Sequence, residues 1–223
     1  SFVSTYQEFL GAAFEPFPTV NAVTAVFDMT VTDVEDPQST FTLKFNGDTR
    51  QYVTLPEISS YLGSPNSNTS ISLWFKNDGA NDGVMISSYI FNSLFFGRIE
   101  TKGSHLYVYH RSPGENDEMI SAGTYILNQW NHVVLVIGQE PGLVKLYING
   151  NLDSNTITYN KGNSYYDANR VWMIGHISDA AAYHQFKGQI DEISIWSDTL
   201  KSSEVLQLYN NGKGLIASSL RGE

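Results

Sequence analysis

Three short segments in the last third of this 223-residue chain constrain its fold more than any other feature. They are Asn128-Gln129-Trp130-Asn131-His132-Val133, Val144-Lys145-Leu146-Tyr147-Ile148-Asn149-Gly150, and the run Phe186-Lys187-Gly188-Gln189-Ile190-Asp191-Glu192-Ile193-Ser194-Ile195-Trp196. Each reads as a β-strand with its own turn chemistry. In the second the turn is Asn149-Gly150. A two-residue type I′ loop needs positive φ at both central positions, and Asn-Gly supplies it at small steric cost. Turns of this kind join antiparallel neighbours, so the chain is expected to build sheets.

The same period of two runs upstream. Phe41, Leu43 and Phe45 alternate with Thr42 and Lys44, and Tyr52, Val53 and Leu55 follow a Gly47-Asp48 turn, which predicts a hairpin. Ile71, Leu73 and Phe75 share one face while Ser72, Trp74 and Lys76 share the other, and Asn77-Asp78-Gly79 ends the run. Further strands are predicted near 83–88, 94–99, 105–110, 132–137, 143–148, 152–158, 170–174 and 189–196. Turn signals at this spacing mark a sandwich or jelly roll. One helix is expected over Ser203–Tyr209, with Val205, Leu208 and Tyr209 on one face and Asn210-Asn211-Gly212 as its stop; it is expected to plug one end of the sandwich. Residues 1–38 read as an arm plus one strand, broken by Phe14-Glu15-Pro16-Phe17-Pro18, and residues 39–223 as a single globular domain.

Composition narrows the chemistry. With 13 Lys plus Arg against 23 Asp plus Glu, the formal net charge of −10 repels phosphate backbones, so nucleic acid is not an expected partner. There is no cysteine, which removes disulfides, thiolate zinc sites and cysteine nucleophiles. No apolar run approaches the roughly 18 residues that span a bilayer, so membrane insertion is not expected. The chain opens at Ser1 without a basic and apolar leader, as a processed chain or a segment of a longer one does.

The three late segments, in that order, resemble the closing strands of the laminin-G-like and pentraxin-like branch of the concanavalin A-like superfamily. Phe45-Asn46-Gly47-Asp48 with Tyr52-Val53 is similar to the family's opening hairpin, Ser70-Ile71-Ser72-Leu73-Trp74-Phe75 to its first long core strand, and Trp172-Met173-Ile174-Gly175 to the strand before its last crossover. The matching elements run from about Phe45 to Gly212. The tail from Leu200 to Tyr209 resembles the family's final helix, with one departure: Lys201 stands where the family offers Ser or Thr three residues before Glu204, so Ser202 is the expected cap. The resemblance implies an all-β jelly-roll sandwich of two antiparallel sheets with one short C-terminal helix. It also implies a glycan-binding or adhesion module at an extracellular, cell or virion surface.

Site residues follow from both sources. Ile190, Ile193 and Ile195 all look inward-facing, which breaks the period at Asp191-Glu192 and predicts a bulge there. The family fold brings Asp48 alongside the last strand, so Asp48 and Asp191 are the candidate ligands of a structural Ca²⁺, a hard cation that takes oxygen ligands. The loops at Asn77–Gly83 and Gly114–Glu118 read as plain turns. Sugar recognition needs an aromatic face beside planar polar groups, and Tyr165, Tyr166, Asp167 and Arg170 combine these within one predicted loop. Tyr183-His184 is a second candidate, and Tyr107 with Tyr109, on one strand face, a third. His132 is expected to be packed rather than reactive, and Trp74 and Trp196 to serve packing.

Catalysis has little support in the sequence. The jelly-roll glucanases resembled here carry Glu-x-Asp-x-x-Glu on one strand, and that pattern does not occur; Asp191 and Glu192 are adjacent, so an ordinary strand points them to opposite faces. The expected function is a non-catalytic module for carbohydrate or a glycoprotein surface. A structural or attachment part of a virion, fibre or adhesin, assembling as a homo-oligomer through the arm, is the alternative; a glycoside hydrolase or lyase of the same superfold is the second.

Overall fold

The structure, a computed structural model, describes residues 42–47, 51–55, 68–79, 82–90, 94–112, 115–138, 143–158, 171–177, 184–215 and 220. The expected arm at 1–38 lies outside them. Among the described residues twelve strands form two six-stranded antiparallel sheets. The first has the order β1 (Leu43–Asn46), β12 (Lys187–Trp196), β3 (Thr69–Asn77), β8 (Trp130–Gly138), β9 (Leu143–Ile148), β10 (Asn151–Thr158). The second runs β2 (Val53–Leu55), β11 (Val171–Ile174), β4 (Gly83–Ile90), β5 (Leu94–Lys102), β6 (His105–Ser112), β7 (Glu115–Ile120). This is the all-β jelly-roll sandwich expected, and every internal strand predicted from Ile71 onward is present.

The core lies between the sheets. Leu73, Phe75, Val133 and Leu146 face inward from the first sheet and Ile99 and Leu106 from the second, all buried in one continuous cluster. Alternation places them there, since side chains at i, i+2 and i+4 of a strand share one face. The predicted Asn-Gly hairpin joins β9 to β10, with φ of 50° at Asn149 and 78° at Gly150. It is locked onto the start of β8: Asn149 Oδ1 accepts the His132 N–H at 2.8 Å, and the Asn149 N–H reaches the His132 carbonyl at 2.8 Å. Asn131 completes the joint, its Nδ2 donating to the carbonyls of Ile126 and Gln129 while its Oδ1 accepts from Ile126 and Asn149. All the hydrogen-bonding capacity of that buried amide is used, which explains the chemistry of the Asn128–His132 segment.

The bulge expected at Asp191-Glu192 is also present. From Asp191 to Ser194, β12 takes three steps while β3 takes two, from Trp74 to Ser72. Glu192 absorbs the extra residue with φ of 47°. Ile190 therefore stays in the core, while Ile193 and Ile195 pack against it from beyond the break.

Four expectations fail. The expected hairpin is not formed by its described strands: β1 pairs with β12 in the first sheet and β2 with β11 in the second, so the chain crosses between layers. Alternation shows that both strands face the interlayer but not which layer each joins. Glu115–Ile120 is a strand rather than a plain turn, because pairing with β6 outweighs the poor β-propensity of its polar residues, and an edge strand carries such residues readily. The helix, α1 (Ser202–Tyr209), does not plug an end. It lies over the outer face of the first sheet, where Leu200, Val205 and Leu208 bury Val134, Val136 and Tyr147. Finally, Lys201 occupies the cap position and Glu204 Oε2 accepts its N–H at 2.7 Å, while the Ser202 hydroxyl pairs with the Tyr147 hydroxyl at 3.0 Å. Half the capping box survives because its carboxylate half needs only a backbone donor.

Under α1, Trp74, His132 and Tyr209 form a ring stack with centroids 5.0 Å apart for Trp74–His132 and 5.9 Å for Trp74–Tyr209. Trp74 and His132 are both packed, as expected, and Trp196 is partly buried against the helix cluster. His132 Nε2 meets Ser72 Oγ at 2.8 Å, and its Nδ1 has no hydrogen-bond partner. Burial pushes the imidazole down to about 3, so the fold holds it neutral. Below the unfolded value of 6.5 the unfolded chain takes up a proton that the folded chain refuses. Stability from this group is thus complete above pH 6.5 and falls by about 1.4 kcal/mol per unit as pH drops toward 3. Denaturant unfolding of the wild type below about pH 6 is expected to carry this slope, and His132→Phe to lack this component of it. An equal slope in both proteins would show that the imidazole is not held neutral.

Candidate functional site

Strands β5, β6 and β7 place a polar and aromatic cluster on the outer face of the second sheet. In β6, Leu106 and Val108 point into the core, so Tyr107 and Tyr109 point out. In β5, Ile99 points in and Arg98 and Glu100 point out. The register aligns Glu100, Tyr107 and Ile120 in one row and Arg98, Tyr109 and Glu118 in the next.

Arg98 organises the cluster. Its guanidinium carbon sits 5.2 Å from the Tyr107 ring centre and 5.1 Å from that of Tyr109, and its Nε donates to Glu100 Oε2 at 2.8 Å. Lys102 Nζ lies 4.9 Å from the Tyr107 ring centre. Arg98 and Lys102 stand two residues either side of Glu100, the direct partner of Tyr107, so the cations flank that ring along the strand. Both contacts are of the cation–π kind.

Glu100 is a buried carboxylate, its side chain 3% exposed, and burial of a charge requires partners. Arg98 supplies one and His184 the other, with Nδ1 2.6 Å from Glu100 Oε1. His184 takes φ of 65°, a left-handed conformation that costs energy for a non-glycine residue, and its carbonyl accepts the Val84 N–H at 2.9 Å. Together these bonds fasten the chain entering β12 over β4. Tyr107 is pushed up to about 12, first by burial and then by its hydrogen bond to the carboxylate of Glu118 and that group's charge, with Arg98 acting in the opposite sense. It remains a neutral donor.

The faces of Tyr107 are thus occupied by the protein's own cations. At the surface stand Lys102 and Glu118, both exposed, Ile120, 46% exposed, and the half-buried Tyr109. The arrangement offers an apolar ledge, an aromatic rim, a carboxylate and an ammonium over a rigid, internally paired floor.

Of the residues expected from sequence, Tyr165, Tyr166, Asp167, Arg170, Asp48 and Tyr183 lie outside the described residues. His184, Tyr107 and Tyr109 are brought together. Asp191 is not part of this cluster; it lies in the other sheet opposite Trp74, buried, its Oδ1 accepting the Glu192 N–H at 2.8 Å. Among the described residues no three His, Cys, Asp or Glu side chains converge as a metal site. Of the expected calcium pair, Asp191 alone is among the described residues. Arg98, Glu100, Lys102 and Glu118 were missed. Ending β5 at residue 99 left Glu100 and Lys102 off the sheet, and reading Glu115–Glu118 as a turn hid that Glu118 faces Tyr109. Extending the period of two by three residues joins Arg98, Glu100 and Lys102 on one face.

The chain belongs to the concanavalin A-like lectin/glucanase superfamily, with a laminin G family model matching residues 46–206. Among solved structures it is similar to the heptameric SAP-like pentraxin of Limulus polyphemus, at 18% identity and a TM-score of 0.53 over 64% of this chain and 70% of that one. It is also similar to the receptor-binding domain of botulinum neurotoxin type G, at 16% identity and a TM-score of 0.57 over 82% of this chain and 44% of that one. A third is a structure describing how cell entry of botulinum neurotoxin type C depends on interaction with two ganglioside molecules, at 18% identity and a TM-score of 0.59, again over 82% and 44%. The likeness at these identities is one of fold, and the chain spans under half the length of either neurotoxin chain. No curated protein matches the sequence significantly.

Removing the Arg98 guanidinium leaves the buried Glu100 carboxylate short of a charge-assisted bond, which costs about 3 to 5 kcal/mol. Arg98→Leu is expected to show a loss of that order in denaturant unfolding, and the double variant Arg98→Leu with Glu100→Leu to recover most of it. A double variant as unstable as the single one would show that the pair does not act as a unit.

Proposed function

We propose that this chain is a non-catalytic recognition module that binds carbohydrate, free or on a glycoprotein, at a cell or particle surface. The observation that carries this reading is the β5–β7 face, where Tyr109, Ile120, Lys102 and Glu118 surround a floor fixed by the Arg98–Glu100–His184 pairing. A pyranose presents an apolar C–H face and a rim of hydroxyls. Ile120 and Tyr109 suit the first, Glu118 and Lys102 the second. The loop with Tyr165, Tyr166, Asp167 and Arg170 stays in the proposal as a second edge of contact. That the type C neurotoxin depends on gangliosides for cell entry supports a glycan-directed use of this fold.

A hydrolytic reading finds less support. Glu100 is turned toward Arg98 and His184, and Glu118 toward the Tyr107 hydroxyl. A glycosidase keeps its two carboxyl groups facing one bond, about 5 to 9.5 Å apart, and free to exchange protons with it.

Screening the full chain against a glycan array, with and without EDTA, tests both the ligand and calcium. Binding to a defined set of glycans without turnover is expected. Tyr109→Ala is expected to weaken it ten- to a hundredfold, a loss of about 1 to 3 kcal/mol. Tyr166→Ala reads the loop's share in the same assay. If calcium occupies a site formed by Asp48 and Asp191, millimolar Ca²⁺ raises the melting temperature over EDTA, because a ligand of the native state alone stabilises it. An unchanged melting temperature removes calcium from the reading, and the absence of any bound glycan removes carbohydrate.

A further inference from the structure

We infer that the corner around the Asn149-Gly150 turn docks a second copy of this chain. The inference stands apart from the carbohydrate reading and draws on different residues. Among the described residues five large apolar side chains are exposed: Ile120, Ile126, Leu127, Leu152 and Leu206. Ile120 belongs to the β5–β7 face. The other four, 41 to 56% exposed, border the turn, and none of them joins either core cluster. Single exposed apolar residues are ordinary, whereas four around one joint form a patch of the kind that marks an interaction site.

The bonds that hold the turn also gather these side chains. Leu206 of α1 lies over it: a Cβ added to Gly150 would stand 3.2 Å from Leu206 Cδ2 and 2.9 Å from Tyr209 Cδ1. Leu152 follows the turn on β10 directly opposite Tyr147, so it shares the outer face on which α1 covers Tyr147 and carries the apolar strip toward the sheet edge. On the other side, Asn131 Oδ1 accepts from both the Ile126 N–H and Asn149 Nδ2, which brings Ile126 and its neighbour Leu127 to the same turn. The joint is rigid before a partner arrives, so little ordering is left to oppose docking.

Charge selects the occupant. The chain carries −10, yet residues 119–139 and 146–152 contain no Asp, Glu, Lys or Arg. On α1 the residues three and four positions from Leu206 are Ser202, Ser203, Tyr209 and Asn210, all uncharged as well. Asp153, which follows Leu152, is buried and accepts the N–H groups of Ala122 and Gly123. Around the rim both signs occur, Asp78 and Glu204 with Lys76, Lys145 and Lys213. A basic partner would find the chain's excess of acid elsewhere, and an anionic membrane surface would meet net repulsion without a basic cluster to offset it. A second copy brings the same uncharged patch. Twofold symmetry lets each copy offer that patch to the other, and like charges further away are screened beyond about 10 Å at ordinary salt.

The test is sedimentation velocity of the full chain over a concentration series at low and at high salt. A patch of this size lies at the weak end of specific interfaces, so a dimer with a Kd of about 10 to 100 μM is expected. High salt is expected to leave that Kd within about twofold or to tighten it, because apolar contact is not screened while the repulsion between two acidic chains is. Leu206→Lys and Leu152→Lys are each expected to weaken the dimer at least about tenfold without lowering the melting temperature, since neither side chain packs in the core. Leu127→Gln, a milder change across the turn, is expected to weaken it in the same sense and keeps the test open if a Lys variant fails to fold. A chain that stays monomeric at every concentration overturns the inference, and flotation of that monomer with phosphatidylcholine vesicles would assign the corner to lipid instead. A dimer indifferent to all three substitutions also overturns it, by placing the contact elsewhere, as on residues 1–41. So does a dimer that dissociates at high salt, which would be held by charge.

Discussion

The two outer faces of this sandwich are chemically unequal, and most of the molecule's organisation depends on that inequality. In the first sheet, β8 is apolar toward both sides: Val133 and Leu135 enter the interlayer core, while Val134 and Val136 point outward. An outward strip of valine beside Tyr147 and Trp74 demands a cover, and α1 supplies it. Eight residues of helix would be marginal alone in water, so the sheet stabilises the helix as much as the helix shields the sheet. The second sheet turns charged and aromatic side chains outward and needs no such cover over β5–β7. One face is spent on stability, and the other is the face proposed for recognition.

Buried polar groups tie these layers to their connections. Ser70 accepts the Leu200 N–H and donates to the Asp198 carbonyl, fixing the approach to α1 from inside β3. Asp153 in β10 accepts the N–H groups of Ala122 and Gly123 and thereby joins the edge of the first sheet to the chain leaving β7. Asn77 reaches the Tyr125 hydroxyl, which in turn donates to the Gly103 carbonyl. Each pairing satisfies backbone groups at a strand end, where the ladder can no longer do so. Gly175, at φ of 85°, marks where such a joint admits no side chain, since a Cβ would overlap the Phe45 ring.

What sequence reveals here divides by range. Period-two alternation and Asn-Gly are local properties, so strand identities, the β9–β10 hairpin and the bulge at Asp191 were legible. The bulge shows as three isoleucines whose spacing no single register can bury. Sheet membership is non-local: nothing in Leu43–Phe45 or Val53–Leu55 says that the two strands belong to different layers. The helix's position failed for a related reason. Its apolar stripe was visible, but the surface that receives it comes from β8 and β9, and a fully apolar strand reads the same whether its outer face meets a helix or another sheet. For the candidate site, the aromatic half was legible as Tyr107 and Tyr109. The charged half was lost with three residues at the end of β5 and a strand whose Glu, Asn and Asp read as a turn.

Those charged residues show why a shared fold says so little about a ligand. A sheet face with two tyrosines and two cations looks, as a composition, like an anion site. Geometry takes Arg98 out of that count, because a carboxylate that burial forbids to stand alone draws it inward. The Arg98–Glu100–His184 pairing trades a recognition group for rigidity: it holds Tyr107 and Tyr109 in fixed poses and clasps the chain entering β12 over β4. The inward residues of β5 and β6 carry the interlayer packing, which leaves the exposed outward positions, Lys102 and Glu118 among them, outside its constraint. Ligand class is therefore set by a few outward positions that the core does not constrain, and relatives built on the same sandwich can differ there without any change in the layers beneath.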